Sequence, residues 1–111
     1  MWQKSMDLTD MIFELNKGLP SSERFNLIDQ MYRCSCSIAS NIAEGSGKRT
    51  KKHFAEFLSI SISSAFELET QLLICKRRKY GDEDLLDKSL KLVVELQKMI
   101  FSFKWGIENK N

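Results

Sequence analysis

The stretch that decides the fold is SIASNIAEG (Ser37–Gly45), followed directly by SGKRTKKH (Ser46–His53). The first part is a run of small and apolar residues with helical character, and Gly45 is its expected stop. The second part places four cations in five positions, Lys48 to Lys52, before another long helix begins. The stretch therefore predicts a helical hairpin with a basic corner at one end.

The composition predicts a single globular domain spanning residues 1–111. Apolar residues make up 42% of the chain, enough for a core that needs no disulfide or metal. One proline and five glycines leave long uninterrupted elements, which favours helices. No apolar run approaches membrane-spanning length, and Asp7, Asp10 and Glu14 interrupt the N-terminal segment. We therefore expect a cytoplasmic protein with no membrane contact.

Apolar residues recur at helical spacing in four segments. We predict helices from about Trp2 to Lys17, Ser22 to Glu44, Lys51 to Lys79, and Asp82 to the polar tail at Glu108, with Gly81 as a left-handed stop before the last. Short connections make sequence neighbours antiparallel. The predicted fold is therefore all-α, an antiparallel up-down-up-down four-helix bundle.

Each of the four helices carries a core stripe, and on helix one its members are Leu8, Met11, Ile12, Leu15 and Leu19. Helix two has one stripe with further residues beside it, helix three has a heptad seam, and helix four continues a seam to its end. The predicted members are Leu27, Met31, Cys34, Ile38 and Ile42, with Phe25, Ile28, Ser35 and Ala39 beside them; Phe54, Leu58, Ser61, Ala65, Leu68, Leu72 and Cys75; and Leu85, Ser89, Leu92, Leu96, Met99 or Ile100, Phe103 and Ile107.

A second apolar stripe on helix three predicts an assembly surface. Ala55, Ile62, Phe66 and Leu73 lie about a quarter-turn from the seam, with Glu69 between the two stripes. Together the stripes cover about half the helix circumference, which is wider than a core-facing helix needs. Exposed apolar area of this size is typical of an interface, so we expect a homo-oligomer contact at Ile62, Phe66, Glu69 and Leu73. The alternative is that neighbouring helices wrap helix three more fully.

The small residues of Ser35–Ala43 would allow a close helix contact, with Asn41 and Glu44 as polar groups at the same end. Either could hydrogen-bond across that contact; the alternative, at least for Glu44, is a solvated face.

No catalytic or metal-binding motif appears in the sequence. The chain has one histidine, His53, and three cysteines without C-x-x-C spacing. We therefore expect no catalytic residue, no metal, no cofactor and no small-molecule substrate, with Cys34, Cys36 and Cys75 as reduced thiols. The competing class is an enzyme that uses Glu44, Glu67 or Glu69 in a buried polar pocket.

Eight of the seventeen cations form two clusters. Lys76–Lys79 ends helix three, where cations favour the helix dipole and Asp82–Asp84 can neutralise them. Lys48, Arg49, Lys51 and Lys52 instead surround the start of that helix, where backbone N–H groups point at the same solvent. With Lys4 and Lys104 expected near this end, the cluster predicts a phosphate-binding site for RNA or DNA, the alternative being a solubilising loop.

The chain resembles a known family in motifs that follow the same order along nearly its whole length. These are Trp2–Leu8, Leu19-Pro20 with Glu23–Phe25, Ser37–Gly45, Phe57–Ile60 and Glu67–Leu72. They are similar to the bacterial four-helix-bundle proteins encoded within intervening sequences of 23S ribosomal RNA genes. The resemblance implies a homopentameric ring without known enzyme activity and with suspected nucleic-acid binding.

Two positions depart from the family pattern. The family usually has proline where Ala39 stands, so a proline kink in helix two is not expected from this sequence. Ile62 makes the surface of helix three more apolar than the usual motif does. A protein-interaction scaffold without nucleic acid remains the alternative function.

Overall fold

The computed structural model describes residues 1–109, which form four α-helices and no β-strand. α1 spans Trp2–Asn16, α2 Asp29–Ser46, α3 Lys51–Arg78 and α4 Glu83–Glu108. A 3₁₀ turn, Ser21–Glu23, and a π-helical turn, Arg24–Ile28, lead into α2. The all-α class predicted from the sequence is confirmed.

The contacts between neighbouring helices are those expected of antiparallel helices, because residue numbers rise along one helix as they fall along the other. From one end of α2 to the other, Met31 contacts Cys75, Cys34 contacts Glu67, and Ile38 accepts a hydrogen bond from Ser61. The α1–α2 and α3–α4 pairs show the same opposed numbering, and α1 also contacts α4, which is consistent with the up-down-up-down arrangement. Their contacts are Thr9 to Ser35 and Asn16 to Ile28 between α1 and α2, Gln97 to Glu69 and Lys76 to Asp87 between α3 and α4, and Lys4 to Glu95 between α1 and α4.

The heptad seam of α3 forms the centre of the core, as predicted. Its residues from Leu58 to Cys75 are completely buried, and Phe54 at the start is half-buried. Burying each leucine contributes about 1.5–3 kcal/mol, so this seam is a main source of stability. Ser61 is tolerated there because its hydroxyl donates to the Ile38 carbonyl at 2.9 Å.

The predicted seam of α4 is wrong in its first part by one residue. Leu86 and Val93 are buried, whereas Leu85 and Leu92 are half-buried and Phe103 is 44% exposed. Ser89, Leu96 and Ile100 are buried as predicted. The error arises because apolar residues occur on both sides of the true seam, so periodicity alone does not fix the helix rotation.

The start of helix two also differs from the prediction. The regular α-helix begins at Asp29 instead of Ser22, and the Asn16 side chain donates to the Ile28 carbonyl at 3.1 Å where the π-helical turn meets it. A side chain that engages the helix backbone in this way disturbs the regular ladder. Phe25, expected beside the core stripe, is 83% exposed on this turn.

The turns at the other ends of α2 and α3 differ in detail. α2 continues through Gly45, which is buried, and its C-cap is Gly47. α3 ends at Arg78 because Lys79 takes the left-handed conformation with φ 59°, and Gly81 follows with φ 79°. Gly45 is therefore not the helix stop, whereas Gly81 has the predicted left-handed backbone.

α3 also has the length and composition of a membrane-crossing helix, contrary to the sequence expectation. It contains a stretch of 18 residues that is apolar enough for such a span, and 33% of that stretch is buried. Core helices of soluble proteins meet the same criteria, and α3 packs against both α2 and α4. The finding is weak evidence for a membrane span.

Candidate functional site

The four predicted nucleic-acid-binding cations lie together at the α2–α3 corner, which we call the basic corner. Lys48 and Arg49 lie on the turn between the two helices, and Lys51 and Lys52 form the first turn of α3. All four side chains are exposed. None of them forms an ion pair with another group in residues 1–109.

The start of α3 is fixed by Thr50. Its hydroxyl oxygen accepts a hydrogen bond from the His53 N–H at 3.1 Å, which caps the helix. No acidic residue lies in the first turn of α3, so the positive end of the helix dipole adds to the side-chain cations. The corner is therefore electropositive from both sources.

The surroundings of the basic corner modify its charge. Lys104 lines a depression with Lys51 and Lys52, as predicted, but it donates to Glu108 at 2.9 Å, and Glu56 lines the same depression. Lys4 pairs with Glu95 of α4. Lys4 and Lys104 therefore add little free positive charge to the basic corner.

One of these cations lies against an aromatic ring. The Lys48 ammonium lies 4.9 Å from the centre of the Phe57 ring, a cation–π distance. Phe57 is half-buried, so it positions Lys48 and offers no open platform for a base.

In the second cation cluster, one residue forms an ion pair within the described part of the chain, and its partner is not one of the predicted carboxylates. Lys76 pairs with Asp87 at 3.2 Å. The pairing residue lies one turn beyond the predicted Asp82–Asp84, since Asp82 instead accepts the Leu85 N–H at 2.9 Å and caps α4.

The predicted assembly residues lie on a surface that we call the α3/α4 face. Phe66 is 54% and Leu73 46% exposed, and Ile62 is half-buried. Glu69 accepts a hydrogen bond from Gln97 of α4 at 2.9 Å. Leu90 and Val94 of α4 lie beside Leu73 and complete the surface. Ala55, predicted on the same stripe, is buried at 5% exposure because the first turns of α3 lie against the end of α4.

One side of the small-residue segment of α2 packs against α3 of the same chain. The Ser37 and Ser64 hydroxyls are 2.7 Å apart. Asn41 donates within α2, to the Ser37 carbonyl at 2.8 Å, and Glu44 is exposed. Neither polar side chain bonds across the helix contact within the described residues.

The three carboxylates of the enzyme alternative do not converge. Glu67 accepts a hydrogen bond from the Cys34 thiol on the α2 side of α3, whereas Glu69 faces Gln97 on the α4 side. Glu44 lies exposed at the end of α2. Residues 1–109 also contain no group of three or more His, Cys, Asp or Glu side chains that could hold a metal ion.

The cysteines are free thiols. Burial, together with the hydrogen bond and charge of Glu67, raises the pKa of Cys34 to about 12. Burial, together with the charge of Glu23, raises the pKa of Cys75 to about 11. Thiols with such pKa values are protonated at neutral pH and are weak nucleophiles.

Sequence reasoning missed an aromatic surface between α1 and α2. Phe13 and Tyr32 lie with ring centres 6.5 Å apart, and both are exposed, as is Phe25. Lys17 lies 4.9 Å from the Phe13 ring and Arg24 lies 5.4 Å from the Phe25 ring. The spacing of Met6, Phe13 and Lys17 along one side of α1 is the signal that could have indicated it.

These features define an all-α protein of four helices with one basic corner and apolar outer surfaces. The chain matches the family described as 23S rRNA-intervening sequence protein over residues 1–102, and it belongs to that family, which confirms the resemblance seen in the sequence. No curated protein matches the chain in a sequence comparison.

A solved structure has the same fold. It is a protein of unknown function from the S23 ribosomal protein family of Bacteroides thetaiotaomicron VPI-5482. The two sequences are 25% identical, the match covers 93% of this chain and 96% of the other, and the TM-score is 0.84.

Proposed function

We propose that this protein is a cytoplasmic, non-enzymatic homopentamer of up-down-up-down bundles that binds RNA or DNA without sequence preference. The observation that carries the nucleic-acid proposal is the basic corner. Lys48, Arg49, Lys51 and Lys52 are exposed, form no ion pair within residues 1–109, and surround the positive end of α3. Side-chain cations and a helix N-terminus together favour phosphate.

The corner supports phosphate contacts and not base recognition. The aromatic ring in cation–π contact with the corner, that of Phe57 beside Lys48, is half-buried. Phosphate contacts fix position on a nucleic acid but carry no sequence information. A ring would present one corner per subunit, so weak individual contacts would act together.

The test is a salt titration of binding to structured RNA and to duplex DNA. A variant with Lys48, Arg49, Lys51 and Lys52 changed to glutamine is compared with the parent. We expect parent affinity to fall steeply with salt, because each phosphate contact releases counterions, and we expect the variant to have a smaller slope and weaker binding.

A matched control removes the same number of cations elsewhere. Arg77, Arg78, Lys79 and Lys88 are exposed at the opposite end of the bundle, so their change to glutamine gives the same net charge. This control should retain the parent's binding. Equal losses of affinity in both variants would show that net charge alone, and not the basic corner, causes the effect. No binding by the parent at low salt would exclude the proposal.

A protein-interaction scaffold is the second candidate function. It is favoured by the large apolar side chains on the bundle surface, such as Phe25 at 83% and Phe66 at 54% exposure. Partners recovered with the protein that remain bound after nuclease treatment would support the scaffold. Partners released by nuclease would support nucleic-acid binding.

A non-enzymatic role is supported by the separation of Glu44, Glu67 and Glu69 on different helix faces. General acid–base chemistry needs such groups within hydrogen-bond reach of one substrate. We accordingly propose no cofactor and no small-molecule substrate.

A further inference from the structure

Large exposed apolar side chains lie on two opposite sides of the bundle. Because α1 contacts α2 and α4, and α3 contacts the same two helices, the α1/α2 side lies opposite the α3/α4 side. We call the first surface the α1/α2 face. Its exposed members are Trp2, Met6, Phe13, Phe25 and Tyr32, at 46%, 40%, 54%, 83% and 44% exposure.

The α3/α4 face is also apolar and extends further along α4. Leu90, Val94 and Phe101 follow one another at helical spacing on one side of α4, and Phe101 is 59% exposed. With Phe66 and Leu73 they form a row of bulky side chains. A single bundle leaves both faces in water, and apolar surface of this extent usually marks an interface.

The two faces have complementary shapes. Tyr32, Cys36, Ala39 and Ala43 recur at steps of four and three; Cys36 is half-buried, Ala39 is buried and Ala43 is exposed, so the α1/α2 face beyond Tyr32 has small side chains on its α2 side. The contacts of Cys34 with Glu67 and of Ser37 with Ser64 place Phe66 level with this small-residue part. A bulky residue on one face therefore lies at the same height as a shallow surface on the other.

The charges at one end of the two faces are also complementary. Lys17 and Arg24 lie at the end of the α1/α2 face, and because Lys17 already pairs with Glu14 at 3.0 Å, Arg24 is the main basic group there. Glu83 and Asp87 precede Leu90 at helical spacing on the α3/α4 face, and Gly18 packs on Gly81, which places both charge groups at the same end of the bundle. Asp87 already pairs with Lys76, so Glu83 is the main acidic group here.

We infer that the α3/α4 face of one copy of this chain packs head-to-tail on the α1/α2 face of the next copy. This rests on the self-assembly proposed above and names the surface that receives Phe66 and Leu73. The bundle measures 49 Å by 22 Å by 19 Å, so one side can supply the roughly 800 Å² per partner that a stable interface buries. Since the two faces differ, repeated contacts generate a ring when the rotation closes.

The test uses one blocking substitution on each face. Phe66→Asp changes the α3/α4 face and Phe13→Asp changes the α1/α2 face, and the two phenylalanines are equally exposed at 54%. Ile60→Asp is the control, because Ile60 is 49% exposed and lies one heptad from Glu67, on the α2 side of α3 and outside both faces. Molar mass is measured by light scattering after size exclusion, and helicity by circular dichroism.

We expect Phe66→Asp and Phe13→Asp each to lower the mass from the parent's oligomer toward the 12.9 kDa of one chain, while Ile60→Asp keeps the parent mass. A mixture of Phe66→Asp and Phe13→Asp retains one intact pair of faces, so it should form a dimer of the two variants and nothing larger.

Two results would overturn the inference while leaving self-assembly intact. They are a Phe13→Asp variant with the parent's mass and a mixture that stays monomeric. If the Phe13→Asp variant of unchanged mass also loses binding to single-stranded RNA, the α1/α2 face would be assigned to nucleic acid. A parent that is monomeric at tens of micromolar would instead exclude the proposed self-assembly itself.

Discussion

Gly45 of α2 lies directly against Phe57 of α3. A Cβ atom on Gly45 would stand 2.8 Å from the Phe57 Cβ and 2.9 Å from a ring carbon of Phe54. The Phe57 Cβ cannot move away without its backbone, so only a residue without a side chain fits here. The glycine allows the ends of the two helices to meet just before the basic corner.

We predict that Gly45→Ala destabilises the protein despite the better helix propensity of alanine. Overpacking typically costs about 1–3 kcal/mol, which offsets the gain of about 1 kcal/mol that alanine brings to a helix. Gly106→Ala is the control, since Gly106 is also helical and has nothing within 4 Å of its added Cβ. Urea unfolding should show lower stability for the first variant and equal or higher stability for the second; a stabilised Gly45→Ala would contradict the close contact.

The role of Gly45 marks the limit of what the sequence could predict. In the sequence, a glycine after a run of small helical residues predicts the end of the helix. Its actual role depends on Phe54 and Phe57, which lie on another helix, so the sequence pattern around Gly45 does not indicate it. The α3 seam was predictable because its steps of four and three continue without a break from Phe54 to Cys75, whereas the α4 seam was ambiguous because Leu85, Leu92 and Val94 surround it. The basic corner was predictable since its cations are adjacent in sequence, but the α1/α2 face brings distant residues together.

We predict that Lys51→Glu with Lys52→Glu raises the stability of the fold while weakening nucleic-acid binding. Acidic side chains in the first turn of a helix favour its dipole by about 0.3–1 kcal/mol each at low ionic strength. The comparison variant, Arg77→Glu with Arg78→Glu, places acids in the last turn of α3 and should be less stable. Thermal melts at low and high salt measure both effects, which should shrink as salt screens the charges. A Lys51→Glu, Lys52→Glu protein that melts earlier than its parent would refute this prediction.

We predict that Cys34 lowers the stability of the protein as the pH rises from about 9 to 12. The pKa of Cys34 is raised to about 12 in the folded protein, chiefly by burial and then by Glu67, and is about 8.5 in an unfolded chain. Below pH 8.5 the Cys34 thiol is protonated in both the folded and the unfolded protein, and the full stability is present. Above pH 8.5 the thiol of the unfolded protein loses its proton first, so the free energy of unfolding falls with rising pH until the folded thiol also titrates. Denaturant unfolding at a series of pH values measures the fall. Cys34→Ala should reduce this slope, and an unchanged slope would show that the thiol does not contribute.

In the turn between α3 and α4, we predict that substitutions at Lys79 and at Gly81 change the stability in opposite directions. Lys79 has the left-handed backbone with φ 59°, which costs a residue with a Cβ roughly 1–2 kcal/mol, and its side chain is exposed. Lys79→Gly should therefore stabilise the protein by up to about 1 kcal/mol, since glycine is the preferred residue at this helix-ending position. Gly81 has φ 79°, and a Cβ there would lie 2.7 Å from the Leu15 side chain, so Gly81→Ala should destabilise through both strain and crowding. Equilibrium unfolding of the two variants beside the parent measures the difference. Lys79→Gly that is less stable than the parent would show that the lysine side chain contributes more than its backbone strain costs.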